Sequence, residues 1–127
     1  MNWKKNWGYR NLARLEYSQI VKRKLKKLRK ELKQSYGESN SKRIMGNIVN
    51  GVRRLETFPQ SGIKISSQYD IKCDYNYIFV EHNYFFYRVM DNDTILILEM
   101  FHEKEDFMQK LFGIVTTSQE TIDYWGE

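Results

Sequence analysis

Val21, Leu25, Leu28 and Leu32 recur at intervals of four, three and four residues. That spacing puts apolar side chains on one stripe of an α-helix. It predicts a helix over 19–36, stopped by Gly37. Ile44, Ile48, Val52 and Leu55 repeat the pattern and predict a second helix over 42–58, capped by Ser39 or Ser41 and ended by Pro59. Two helices this close in sequence form an antiparallel hairpin. Ahead of them, 12–17 alternates strictly, which predicts a half-buried strand with Ala13, Leu15 and Tyr17 facing inward. Beyond the loop marked by Gly62, the runs 69–73, 77–81, 84–90 and 94–101 are rich in Tyr, Phe, Ile and Val and read as strands. The polar interruptions 74–76, 82–83 and 91–93 suit tight turns.

In the last of those strands Ile95 and Ile97 alternate with Leu96, Leu98 and Met100, so both faces are apolar and the strand should be central. A short helix over 103–111, closed by Gly113, completes the domain. The predicted fold class is α+β: an N-terminal strand, a two-helix hairpin packed on a twisted antiparallel sheet of four to five strands, and a short C-terminal helix. Residues 1–10, polar and basic with Trp3 and Trp7, read as an arm, 11–112 as the domain, and 113–127 as a tail.

Composition narrows the class. The 127 residues, with nineteen aromatics and 41% hydrophobic content, suffice for one packed core. Cys73 is the only cysteine, which excludes a disulfide framework and a thiolate metal cluster. It fits a reducing compartment. The first residues carry no apolar run resembling a signal peptide, and stretches such as 95–98 are too short to cross a bilayer. A cytoplasmic protein without membrane contact is expected.

Charge changes the picture most. Residues 1–35 hold twelve Lys/Arg against two Asp/Glu, and 36–127 hold nine against fourteen, so +10 and −5 combine into a net +5. Within 19–35 eight residues are cations and only Glu31 opposes them. Such a dipolar molecule attracts a polyanion on one side. Lys22, Lys26, Arg29, Lys30, Lys33 and, further on, Lys104 are the candidate contacts to nucleic acid or to an acidic protein segment.

Three local patterns then carry a family resemblance. Leu55-Glu56-Thr57-Phe58-Pro59-Gln60-Ser61-Gly62 ends the second helix, Asn83-Tyr84-Phe85-Phe86-Tyr87-Arg88-Val89 forms an aromatic strand, and Ile97-Leu98-Glu99-Met100-Phe101-His102-Glu103-Lys104-Glu105-Asp106-Phe107 closes the sheet. In this order, over 12–112, they resemble the RelE/ParE superfamily, the toxins of bacterial type II toxin–antitoxin modules. The resemblance implies a cognate antitoxin as partner and leaves two activities open. RelE-like members cut messenger RNA on the ribosome; ParE-like members poison DNA gyrase and are not nucleases.

RNA cleavage through the 2′-hydroxyl needs a base, an acid and a cation for the phosphate. Under the RelE-like reading His102, Arg88, Lys72 and Tyr84 are the candidate catalytic residues. An imidazole changes charge near neutral pH, which suits His102 to acid or base work. Lys72 fits the second of the two alternating lysines of RelE-like chains, but Asp70 occupies the place of the first. Tyr84 stands where those chains carry an arginine, with Arg88 on the same side by strand alternation. Asp70 and Tyr84 favour the ParE-like alternative, whereas the other candidates and the basic helix lean toward endoribonuclease action on ribosome-bound mRNA. His82 reads as a solvated turn residue, Asp106 as a cap of the final helix, and Tyr124 and Trp125 as a loosely docked end or a base-stacking pair. No Gly-rich phosphate loop, zinc-ligand motif or nucleophile elbow occurs, so no cofactor or metal is expected.

Overall fold

The computed structural model describes residues 13–91 and 93–113. The basic arm with Trp3 and Trp7, Leu12, and the tail with Tyr124 and Trp125 lie outside the described residues. Ala13 and the first strand, β1 (Arg14–Tyr17), bury Ala13, Leu15 and Tyr17 partly and leave Arg14 and Glu16 exposed, as the alternation requires.

Ser18 then starts α1 (Gln19–Tyr36). Its side chain accepts the Val21 amide, a serine N-cap, and its hydroxyl donates to the Leu98 carbonyl at 2.9 Å. One residue therefore caps a helix and ties it to the sheet. Gly37, at φ 88° and ψ 166°, both ends α1 and begins α2 (Glu38–Arg53). Only glycine takes that backbone without strain, so the hairpin turns on a single residue. Neither Ser39 nor Ser41 caps α2, as the sequence had suggested. Ser41 is buried, and its hydroxyl donates to the Arg29 carbonyl of α1. The small side chain serves helix–helix contact, and Glu38 supplies the acidic first turn. A 3₁₀ turn (Arg54–Glu56) follows α2, which ends at Arg53, five residues before the expected end.

The predicted strand over 69–73 does not form. A two-residue strand, β2 (Ile63–Lys64), precedes it, followed by α3 (Ile65–Tyr69), which Asp70 ends in the left-handed conformation. Fully buried Ile65 anchors this turn. Lys72 consequently lies in an exposed irregular link, not on a strand, and 74–76 leads into β3 (Asn76–Val80) instead of forming a hairpin turn. β3 turns through Glu81 and His82, both with positive φ, into β4 (Asn83–Val89), the primed two-residue geometry that matches strand twist. The Asn83 side-chain Nδ2 donates to the Glu81 carbonyl and fixes the turn.

β5 (Thr94–His102) is central, as its two apolar faces predict, in the order β1-β5-β4-β3-β2. The four later strands are antiparallel, but β1 pairs with β5 in parallel, so the sheet is mixed. The final helix, α4 (Phe107–Phe112), is shorter than 103–111; Asp106 caps it by accepting the Gln109 amide.

Two apolar layers sandwich the sheet. Under the hairpin lie Val21, Ile48, Val52, Leu55, Phe85, Tyr87, Ile95 and Ile97, with Leu25 and Leu28 of the predicted α1 stripe packed against them. Across the sheet, Ile65, Tyr77, Phe86, Phe101, Phe107 and Met108 form a second cluster beneath α3 and α4. That side is therefore not a bare face.

Candidate functional site

The register of β4 against β5 decides where the candidate side chains point. Pairing runs from Asn83↔His102 to Phe86↔Glu99, then jumps to Tyr87↔Ile97. Leu98 has no partner on β4, a β-bulge that reverses the alternation of β5. Ile95 and Ile97 face the hairpin before it; Met100 faces the hairpin after it, while Phe101 joins the opposite cluster. His102, two residues past Met100, sits on the hairpin side, bordering a hollow with Lys24, Lys27 and Leu28 of α1. Its Nδ1 accepts the Lys104 amide at 3.1 Å, and its own amide donates to Glu105.

Tyr84 and Arg88 do share the other face. Tyr84 packs edge-on to Tyr77 at 5.5 Å between ring centroids and against Phe107 of α4 at 4.9 Å. The Arg88 guanidinium donates to Asp74 at 2.9 Å and lies over the Tyr75 ring at 5.0 Å. A cation so paired has its charge matched by a carboxylate. Along the strand Tyr84 and Arg88 stand about 14 Å apart. Lys72, on the link from α3, is exposed. The structure thus brings Tyr84 and Arg88 to one face and sets His102 on the other.

Sequence reading missed two features here. Lys24 reaches round the part of β5 beyond β1 to make a 2.7 Å ion pair with Glu99, donate to the Met100 carbonyl and cover the Phe101 ring at 4.4 Å. It thereby leaves the outward cationic set. The bulge that presents Glu99 has no mark in the sequence. Glu105 sits close by. Partial burial works to raise its carboxyl, but the Lys110 ammonium at 2.7 Å and the His102 amide outweigh it and hold it below its ordinary value.

The second missed feature is a groove of about 420 Å³ along the outer edge of β3. β2 covers only Asn76 and Tyr77, so the edge beyond them is uncovered among the described strands. Gly51 lets α2 come close there, since a Cβ would stand 2.8 Å from a Val80 methyl. Phe58, Ile63 and Phe79, exposed by 61%, 48% and 49%, flank the groove, and Arg54 adds a cation. Unpaired strand edges beside apolar side chains recruit extended segments.

The remaining cations form the outer face of α1. Lys22, Arg23, Lys26, Lys27, Arg29, Lys30 and Lys33 are all exposed. Of these only Lys33 meets a carboxylate within 4 Å among the described residues, Glu38 at 3.7 Å. Lys22/Lys26, Arg23/Lys27, Lys26/Lys30 and Arg29/Lys33 are like-charged four-residue neighbours, each costing the helix a few tenths of a kcal/mol, roughly.

A family model described as "ParE toxin of type II toxin-antitoxin system, parDE" matches residues 15–107, which is most of the chain. The chain belongs to the ParE toxin family. Its match runs from the second residue of β1 to the first of α4, taking in the hairpin and all the later strands. Among solved structures the chain is similar to one titled "Chromosomal ParDE TA system from P. aeruginosa", with a TM-score of 0.60 and 16% identity. That likeness covers 72% of this chain and 97% of the other, and at such identity it speaks for the fold. No curated protein matches the chain. A ParE toxin of a type II module has a cognate antitoxin as partner. Among the described residues no helix is long and apolar enough to cross a membrane, and no cluster of His, Cys, Asp and Glu suits a metal ion.

Proposed function

We propose that this ParE-family toxin arrests growth by binding DNA gyrase, and that it does not cut messenger RNA. The observation that carries the reading is the separation of His102 from Tyr84 and Arg88 by the thickness of the sheet. General acid–base cleavage requires its groups within hydrogen-bond reach of one phosphate. Here the imidazole stands among α1 residues, the guanidinium is taken by Asp74, and the phenol is wedged under Phe107. Asp74 cancels the Arg88 charge on the face where RNA would have to lie. A binding surface has no such requirement for convergence, and membership of the ParE family supports a binding mode of action.

The antitoxin, in this reading, lays an extended segment along the free edge of β3. The open backbone there, the exposed Phe58, Ile63 and Phe79, and the cationic Arg54 suit a strand that alternates apolar and acidic residues.

The test uses the full chain with purified gyrase, ATP and relaxed plasmid. Supercoiling should stop, and antitoxin added first should restore it. Unimpaired supercoiling, together with cleavage of mRNA on translating ribosomes, would replace this reading with the nuclease one.

A further inference from the structure

Seven cations on the outside of α1 still have no role in the gyrase reading. By helical periodicity they fall into two rows. Lys22, Lys26, Arg29 and Lys33 follow one another at intervals of four, three and four residues; Arg23, Lys27 and Lys30 run beside them. The first row spans eleven residue steps, about 16 Å, at a mean spacing of about 5.5 Å between cations. Phosphates along one strand of a duplex have comparable spacing. The rows diverge around a single helix, so their ammonium and guanidinium groups splay to either side of a ridge one helix wide. The major groove of B-form DNA, about 12 Å across with a phosphate chain on each rim, accepts such a ridge.

What the face lacks is equally informative. Single-strand binders present aromatic rings on which bases stack, and between Lys22 and Lys33 there is none. The exposed Ile20 and Tyr36 lie beyond the two ends of the rows. A docked peptide needs apolar anchors, but Leu25 and Leu28 of α1 pack against the core and Leu32 is half-buried. RNA duplexes have a major groove too deep and narrow for a helix. Two cationic rows on an exposed helix, in which only Lys33 has a carboxylate within 4 Å among the described residues, therefore suit a ligand that offers only evenly spaced anions and a wide groove.

We propose that the outer face of α1 binds the phosphate backbone of B-form duplex DNA without regard to sequence. The function this adds is localisation of the toxin on DNA, which goes beyond the target proposed above and does not depend on it. Phosphates relieve the like-charge repulsion along the helix while the lysines and arginines displace counterions condensed on the duplex, so binding must weaken steeply with salt.

The experiment measures fluorescence anisotropy of a labelled mixed-sequence duplex of about 20 base pairs with the full chain, from ~50 to ~200 mM NaCl. The logarithm of the binding constant should fall against the logarithm of salt with a slope of about −5 to −6, for six or seven phosphates. Lys26→Gln/Lys30→Gln should flatten that slope by about 2 and weaken binding at least ~tenfold. Lys64→Gln/Lys110→Gln removes the same charge elsewhere and should leave both nearly unchanged. Circular dichroism confirms that each variant is folded. Equal effects of the two pairs would show a general charge effect and overturn the proposal, as would equal or tighter binding of single strands or of an RNA duplex of the same sequence. A Lys26→Gln/Lys30→Gln protein that keeps its duplex affinity but loses its antitoxin would assign the face to the antitoxin instead. The assay contains no gyrase, so its outcome is independent of supercoiling inhibition.

Discussion

Under the hairpin the sheet meets aliphatic side chains from helices of 18 and 16 residues; across it, α3 and α4, of five and six residues, contribute the aromatic-rich second cluster. The long helices carry a repeating apolar stripe and a serine or glycine at their ends. The short ones fall well below the length at which a helix holds together in water, so packing alone keeps them in place. Phe107 shows how: its ring touches Tyr69, Tyr77, Tyr84 and Phe86. The difference implies one layer that sets global stability and another that opens locally.

Truncation in each layer tests that most forcefully. Phe85→Ala, beneath the hairpin and fully buried, should cost about 3–5 kcal/mol in denaturant unfolding and lower protection everywhere. Phe107→Ala should release α4 and α3 to hydrogen exchange while the hairpin amides stay protected. Global loss from both changes would erase the distinction between the layers.

Next in size is Tyr87, whose hydroxyl accepts the Gly62 amide at 3.0 Å and donates to the Pro59 carbonyl at 2.9 Å. Burial raises its pKa, which keeps the proton that the second bond needs. Tyr87→Phe should cost about 1–3 kcal/mol by orphaning both backbone groups, and the damage should appear in the 59–64 loop. Ser18→Ala should cost about 1 kcal/mol, since the cap of α1 and its tie to Leu98 go together.

The smallest effect belongs to the second layer and to acid. Glu105 has its folded pKa below its unfolded value. Its contribution is therefore fully present above the unfolded carboxylate range and is lost as pH falls through the folded value. Acidification toward that range should loosen the Glu105–Lys110 link before the hairpin responds, seen as early exchange in α4. Lys110→Gln should weaken this pH dependence, leaving the part that the His102 amide supplies. If the hairpin loosens first, the order of the layers is wrong.

The same contrast explains what could be read in advance. Two long helices, a half-buried first strand and a doubly apolar central strand announce themselves by period, and the α+β class followed. β2 is only two residues long and α3 only five, too short for any period, and Tyr69 and Ile71 carry the composition of a strand. The parallel pairing of β1 is a long-range choice with no local signature. At the candidate site, strand alternation correctly put Tyr84 and Arg88 together. The position of His102 depended on one extra residue, Leu98, and the state of Arg88 on a carboxylate fourteen residues earlier. Neither is visible in a local pattern.

The central claim is that the toxin acts by occupying a partner and assembles no cleaving centre. Growth arrest and transcript integrity, followed together after induction of a Lys72→Ala/Arg88→Ala/His102→Ala chain, test it most directly. Arrest like that of the unaltered toxin, a DNA-damage response, and intact transcripts are expected in both. Transcripts broken by the unaltered toxin and spared by a folded, harmless triple variant would contradict it.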